Sequence, residues 1–293
     1  MHPTIRSVIL LLILGIAPGL LRAQTPQATP PPPRQPAAQP APINPKLPTI
    51  FIASDSTAAP SNGGGGWGVP FATFFDPAKV NVVNDARGGR SSRTFITDGT
   101  WDKLLADVKS GDIVLIQFGH NDVGVVNQVP PGSKEPLRAR GSLPGLGEET
   151  QEIDNVVTHK HEIVHTFGWY MRKMINETRA KGAMPIVLSL TVRNNWKDGK
   201  VERGLGEYRK WAEEIAEHEG VAFVDLTSIL ADEYDKMGEA AVKRFFPRDN
   251  THANAEGSEF CAASIVAGFK ALKDDPLAPY LSAKAAEVTP YAP

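Results

Sequence analysis

Five short apolar runs, separated by stretches of helical periodicity, constrain the fold of this chain more than any other feature. They are TIFIAS (49–54), VNVVNDA (80–86), DIVLIQF (112–118), MPIVLSL (184–190) and VAFVDL (221–226). Each is rich in Val, Ile, Leu or Phe and bounded by turn residues, the pattern of a strand. Near-continuous apolarity means burial on both faces, the condition of a parallel sheet covered by helices. The covering helices are legible between the runs. TWDKLLADVKSG precedes the third run, and His161 to Ala180 precedes the fourth and stops at Lys181-Gly182. GEYRKWAEEIAEHEG precedes the fifth run and stops at Gly220, and NAEGSEFCAASIVAGFKALK follows it. Alternating strands and helices require right-handed crossovers, so the expected architecture is an α/β sandwich running from Thr49 to Leu281.

The flanks read differently. In residues 1–23, Arg6 precedes SVILLLILGIAPGLL, which Pro18 and Gly19 interrupt. The run is short for a membrane span and fits the apolar centre of a signal peptide, with cleavage near Ala23 or Gly19. Residues 24–48 are rich in Pro, Ala and Gln and read as an extended linker, and 282–293 as a C-terminal tail. The expectation is a secreted or periplasmic protein with no membrane span once the leader is removed. A net charge of -2 argues against a nucleic-acid partner, which calls for a basic face. The single cysteine, Cys261, allows no internal disulfide and lies in an apolar helical pattern, as a buried structural thiol does.

Ligands of parallel sheets bind outside the carboxyl ends of the strands, so the residues after each run are the candidates for chemistry. SDST follows the first run and puts Ser56 where its Oγ can enter the crevice with its own N–H as an anion donor; Gly63 to Gly66, just beyond, suggest a mobile loop. Gly88 and Gly89 follow the second run and let the backbone approach a ligand closely, and such a turn N–H can serve an oxyanion. Asn121 follows the third run and offers a side-chain amide as a second kind of oxyanion donor. Before the last helix, Asp249 and His252 stand three apart on a loop. That spacing lets the carboxylate accept from Nδ1 and hold Nε2 toward the crevice. Each motif alone is an ordinary turn or cap. Together, in order and at one edge of the sheet, they supply a nucleophile, two oxyanion donors and a base with its orienter, the inventory for acyl transfer.

The blocks SDST, ARGGRS, GHND and DNTH resemble, in order, those of the SGNH (GDSL-like) hydrolase superfamily, over essentially the whole unit. GGRSSRTF, FGHND and the segment from Phe246 to Gly257 are most similar to its rhamnogalacturonan acetylesterase branch. The resemblance implies a flavodoxin-like three-layer α/β/α sandwich with a five-stranded parallel sheet. It implies Ser56 as nucleophile, His252 as general base and Asp249 as its orienter. The implied oxyanion hole is the N–H of Ser56, the N–H of Gly89 and the amide of Asn121. It implies removal of acetyl groups from a pectic polysaccharide, with no metal or organic cofactor. Another acetylated carbohydrate or small ester is the alternative, and an inactive sugar-binding relative a lesser one. One departure is visible: Ser54 stands where the family usually has Gly, and would be mildly strained if the position needs a positive φ. Asp55, Arg90, Arg138, Arg140 and Arg193 are the candidate substrate contacts, the four arginines because the planar guanidinium fork pairs well with the carboxylates of an acidic backbone. Ordinary surface ion pairing is the competing account of each arginine.

HEIVHTFGWYM (161–171) spells the start of a zinc-protease signature, with His161 and His165 as ligands and Glu162 as base. Met171 stands where the third histidine belongs, and a thioether is a poor zinc ligand. Ile163, Phe167, Tyr170 or Met171, and Met174 repeat at helical spacing, which reads as an amphipathic helix packed on the sheet.

Overall fold

The computed structural model describes residues 43–60, 65–128 and 138–293. The leader, residues 24–42 of the linker, and Gly63 and Gly64 lie outside the described residues. The strands are β1 (Thr49–Ser54), β2 (Asn81–Asn84), β3 (Ile113–Gln117), β4 (Thr150–Asp154), β5 (His161–His165), β6 (Met184–Leu188), β7 (Trp196–Lys197), β8 (Lys200–Val201) and β9 (Ala222–Val224). One parallel sheet takes the order β2-β1-β3-β6-β9, while β4–β5 and β7–β8 are separate antiparallel pairs. The five expected strands are all in the parallel sheet, β1 with the expected bounds and the other four shorter by a residue or two at their ends.

The helices are α1 (Gly68–Phe71), α2 (Ser92–Thr97), α3 (Thr100–Asp107), α4 (Phe167–Ala180), α5 (Tyr208–Glu219), α6 (Leu226–Met237), α7 (Glu239–Lys243), α8 (Ala255–Ala271) and α9 (Ala283–Ala286). Side chains of a strand alternate between faces, so each strand feeds two cores. Ile50 and Ile52 of β1 meet Phe71 of α1, Leu230 of α6 and Ile265 of α8. Phe51 and Ala53 meet Trp101 of α3, Met171 of α4 and Ile215 of α5. Burying a side chain of this size stabilises by about 1.5–3 kcal/mol, which is why both sheet faces are covered. The result is the three-layer α/β/α sandwich expected from the sequence. From β1 the chain moves to β2 on one side and then to β3 on the other, which opens a crevice at their carboxyl ends.

The expected helix from His161 is corrected. Residues His161–His165 form β5, paired antiparallel with β4, and the helix begins only at Phe167. Thr166 is the boundary, with its Oγ1 accepting from the Trp169 N–H at 3.1 Å as an N-cap. Val164 is buried while Ile163 is 48% exposed, an alternation of period two that the helical template misread. Glu162 does not face a metal-ligand pair: it takes both arms of Arg93, at 2.7 and 2.8 Å, and accepts from Asn155 Nδ2 at 2.7 Å. The histidines flanking it lie on exposed or half-buried positions, His161 beside Glu152 and Asp154, and His165 stacked on Trp169.

Chain on either side of the sandwich is bonded to it. Asn44 and Asn81 exchange two hydrogen bonds of 2.9 Å. Ser282 donates its N–H to Phe74 O at 2.9 Å, and Tyr291 Oη donates to Asp232. Among the described residues no helix is long and apolar enough to cross a membrane.

Candidate active site

The turn after β1 presents Ser56. Asp55 is 1% exposed, and its Oδ1 accepts from the N–H and the hydroxyl of Thr57, both at 2.8 Å. Its carbonyl accepts from the N–H groups of Ala58 and Ala59, which closes the turn and leaves Ser56 half-buried at the crevice. Ser54 belongs to the extended strand, so the strain considered for it does not arise. Its hydroxyl donates to Gln117 Oε1 at 3.1 Å. The same oxygen accepts from Trp67 Nε1 at 2.9 Å, while Gln117 Nε2 donates to Ser189 O at 2.9 Å. Gln117 therefore ties the ends of β1, β3 and β6 together beside the Ser56 turn. Gly66 is required beside it: a Cβ there would stand 2.2 Å from Thr57 O.

The loop before α8 completes a continuous chain of hydrogen bonds. His252 Nε2 lies 2.8 Å from Ser56 Oγ, and His252 Nδ1 lies 2.9 Å from Asp249 Oδ2. The other oxygen of Asp249 accepts from the backbone N–H groups of Thr251 and His252 at 2.8 and 2.7 Å. Partial burial works to raise the Asp249 pKa, but the His252 backbone and ring, the Thr251 N–H and the charge of His252 outweigh it and bring it down to about 2. The carboxylate thus stays ionised and sets the ring tautomer. Asn250 moors this loop to the one after β6, accepting from Asn194 N and donating Nδ2 to Asn195 Oδ1, both at 2.7 Å.

Three candidate N–H donors follow the carboxyl ends of β1, β2 and β3. Among the described residues neither the Ser56 nor the Gly89 backbone N–H has an acceptor in the protein, so both are available. Gly89 has φ of 76°, which favours glycine and turns that N–H out of the usual direction. Asn121 spends one amide hydrogen on Arg90 O at 2.8 Å, which orients the other. Donors of this kind can stabilise an oxyanion formed on a carbonyl attacked by Ser56.

Burial shapes the titration of the groups behind this surface. Desolvation lifts Asp55 to about 6 against the hydrogen bonds of Thr57 and the charges of His252 and Arg140. Desolvation likewise lifts Asp122 to about 6 despite its bonds from Ser92. His120, buried with Nε2 at 2.9 Å from Thr191 Oγ1, is lowered to about 3 by desolvation and by the charges of Arg193 and His252, so it stays neutral.

The candidate substrate contacts separate. Asp55 is buried, and so is not on a rim. Arg90 is held by Asp98 at 2.5 Å, and Arg93 is fully buried on Glu162. Arg138 is exposed. Arg140 and Arg193 are half-buried, each with a buried Nε that has no partner. An open cleft of about 270 Å³ runs over Ser56 and His252, walled by Gly65, Gly88, Asp249 and Arg248. Arg248, Gln117 and Asn250 were not singled out from the sequence. Arg248 and Asn250 flank Asp249, a signal that could have found them, whereas nothing local marks Gln117.

Residues 53–260 match the GDSL-like Lipase/Acylhydrolase family. The chain is 34% identical over 218 residues to the rhamnogalacturonan acetylesterase of Emericella nidulans, covering 74% of this chain and 83% of that one. It is 27% identical over 245 residues to the rhamnogalacturonan acetylesterase RhgT of Bacillus subtilis, covering 76% and 90%. The crystal structure of the YxiM protein of Bacillus subtilis superposes with a TM-score of 0.59 at 24% identity, covering 77% of this chain and 56% of that one.

Proposed function

Because the chain belongs to the GDSL-like lipase/acylhydrolase family, and is thereby a carboxylic ester hydrolase, we propose that its ester is an O-acetyl group on the pectic polysaccharide rhamnogalacturonan. The hydrogen-bonded path Asp249–His252–Ser56 carries the mechanistic part of this reading, and the names of the relatives support the substrate. Asp249 keeps the proton of the neutral ring on Nδ1, so Nε2 accepts from Ser56. As Ser56 Oγ attacks the acetyl carbonyl, its proton passes to Nε2, and the carboxylate stabilises the imidazolium. The oxyanion lies against the N–H groups of Ser56, Gly89 and Asn121. The imidazolium then protonates the departing sugar oxygen, leaving an acetyl-serine. Water repeats the sequence, giving its proton to Nε2, and acetate leaves. No step in this scheme needs a metal or an organic cofactor.

The test is acetate release from acetylated rhamnogalacturonan and from acetylated xylan, by the wild type, by Ser56→Ala and in the presence of a chelator. The expected result is release from the pectic substrate that survives chelation and is lost in Ser56→Ala. Activity that vanishes on chelation and persists in Ser56→Ala overturns the mechanism; release from xylan alone overturns only the substrate. Residues 1–23 act in this reading as a leader that exports the domain on its proline-rich tether, so the mature chain recovered outside the cytoplasm lacks them. Recovery of that chain with its first residues intact refutes the export.

A further inference from the structure

The arginines of this chain divide by place. Away from the crevice they hold carboxylates: Arg172 pairs with Glu148, Arg179 with Glu219, Arg209 with Asp225 and Arg244 with Glu256. Arg140 and Arg193 differ. Neither side chain has a hydrogen bond or ion pair among the described residues, and the Nε of each is buried. Leaving a buried donor unmade costs on the order of 1–3 kcal/mol, more for a charged group. The two guanidinium groups also stand close enough to repel. Arg140 is pushed below the ordinary arginine range, first by desolvation and then by the charges of Arg138 and Arg193, with Asp55 the opposing charge. A folded protein that keeps two partly desolvated, mutually repelling cations without partners calls for an explanation, and an anionic ligand supplies one.

Their position says which ligand. Arg140 Nη1 lies 3.6 Å from where a Cβ would stand on Gly89, so it borders the oxyanion turn. The charge of Arg193 reaches His120, the neighbour of Asn121 in the chain. Arg193 precedes Asn194, whose N–H donates to Asn250 O at 2.7 Å, so it stands on the loop moored beside Asp249 while its charge reaches Arg140 at the Gly89 turn. The planar forks suit a carboxylate, the charged group of an acidic polysaccharide. We propose that Arg140 and Arg193 form a subsite for a uronic acid carboxylate of the polysaccharide. Only the sugar that carries this carboxylate rests on the pectic reading; the anion site rests on the two arginines. Arg90 is excluded from the subsite by Asp98, and Arg93 by Glu162.

The test separates the subsite from the substrate. Hydrolysis of p-nitrophenyl acetate by the full chain is inhibited competitively with an unacetylated galacturonate oligosaccharide, and in parallel with its methyl ester. The free acid is expected to bind at least about tenfold more tightly than the ester, the order of one hydrogen bond to a charged group. Arg140→Gln and Arg193→Gln are each expected to weaken the free acid by about tenfold and the methyl ester hardly at all. Equal inhibition by acid and ester in the wild type overturns the proposal without recourse to any variant, as does an unchanged inhibition constant in both variants. Acetate release from acetylated rhamnogalacturonan is scored separately, so failure there removes the substrate and leaves the anion site standing on its own measurement.

Discussion

Asp249→Asn tests whether the carboxylate acts through the tautomer of His252. Two backbone N–H groups, of Thr251 and His252, point at Asp249 Oδ1 from 2.8 and 2.7 Å. In the variant they hold the amide oxygen in that place, and the amide NH2 must then face His252 Nδ1 where Oδ2 now stands at 2.9 Å. A donor there makes Nδ1 the acceptor and moves the ring proton to Nε2, which can no longer accept from Ser56. Flipping the amide to restore the productive tautomer forfeits two backbone bonds of about 1 kcal/mol each, so about 2 kcal/mol. Losing the charged partner of the imidazolium adds about 2 kcal/mol. The sum of about 4 kcal/mol lowers kcat roughly a thousandfold. KM for p-nitrophenyl acetate should change little, because Asp249 meets the ring and not the ester. Steady-state hydrolysis measures the loss, and nitrogen NMR of His252 reports the tautomer. A variant within tenfold of the wild type, or one that keeps the proton on Nδ1, refutes the reasoning.

Further outcomes follow from the same geometry. Glu162→Gln leaves the fully buried Arg93 without its counter-charge, so unfolding should be easier by about 3–5 kcal/mol, and Tm lower by about 10 °C in a thermal melt; an unchanged Tm would falsify the structural role given to the pair. Gly66→Ala sets a Cβ 2.2 Å from Thr57 O and should shift the nucleophile turn, seen as a fall in kcat of p-nitrophenyl acetate hydrolysis; normal kcat counts against the packing. Gly89→Ala finds space but must hold φ at 76°, a strain of about 1–2 kcal/mol that tilts an oxyanion donor, and its effect should appear in kcat more than in KM. Asp122 is raised from 3.8 to about 6, so the native state binds its proton more tightly than the unfolded state does. Its contribution is then fully present below pH 3.8 and lost as pH rises through about 6, a change on the order of 3 kcal/mol. Asp122→Asn should flatten that part of the stability–pH curve, and an identical slope in urea melts at pH 4 and pH 7 would contradict the burial argument.

The five strands were legible because near-continuous apolar runs report burial on two faces, and burial is a local property of residue type. The candidate acyl-transfer residues could be picked out for a related reason. Ser56, Gly89, Asn121, Asp249 and His252 each follow or precede an element whose position the apolar pattern already marks, and a parallel sheet brings such ends together. The segment HEIVH was misread because Ile163, Phe167, Tyr170 or Met171, and Met174 fit a helical spacing although the first of them belongs to a strand running into the helix. What decided it was β4, and Arg93, which stands 69 residues from Glu162 in the chain. The sorting of the arginines has the same cause. No local pattern distinguishes Arg90, held by Asp98, from Arg140, held by nothing among the described residues, since a hydrogen-bond partner is a fact about position in space. The amino-acid sequence by itself determined the layers, the crevice edge and the candidate residues brought to it, through hydrophobic burial and turn geometry. The tertiary structure alone decided which polar groups are spent on one another and which are left for a ligand, because hydrogen bonds and ion pairs join residues that the order of the chain keeps apart.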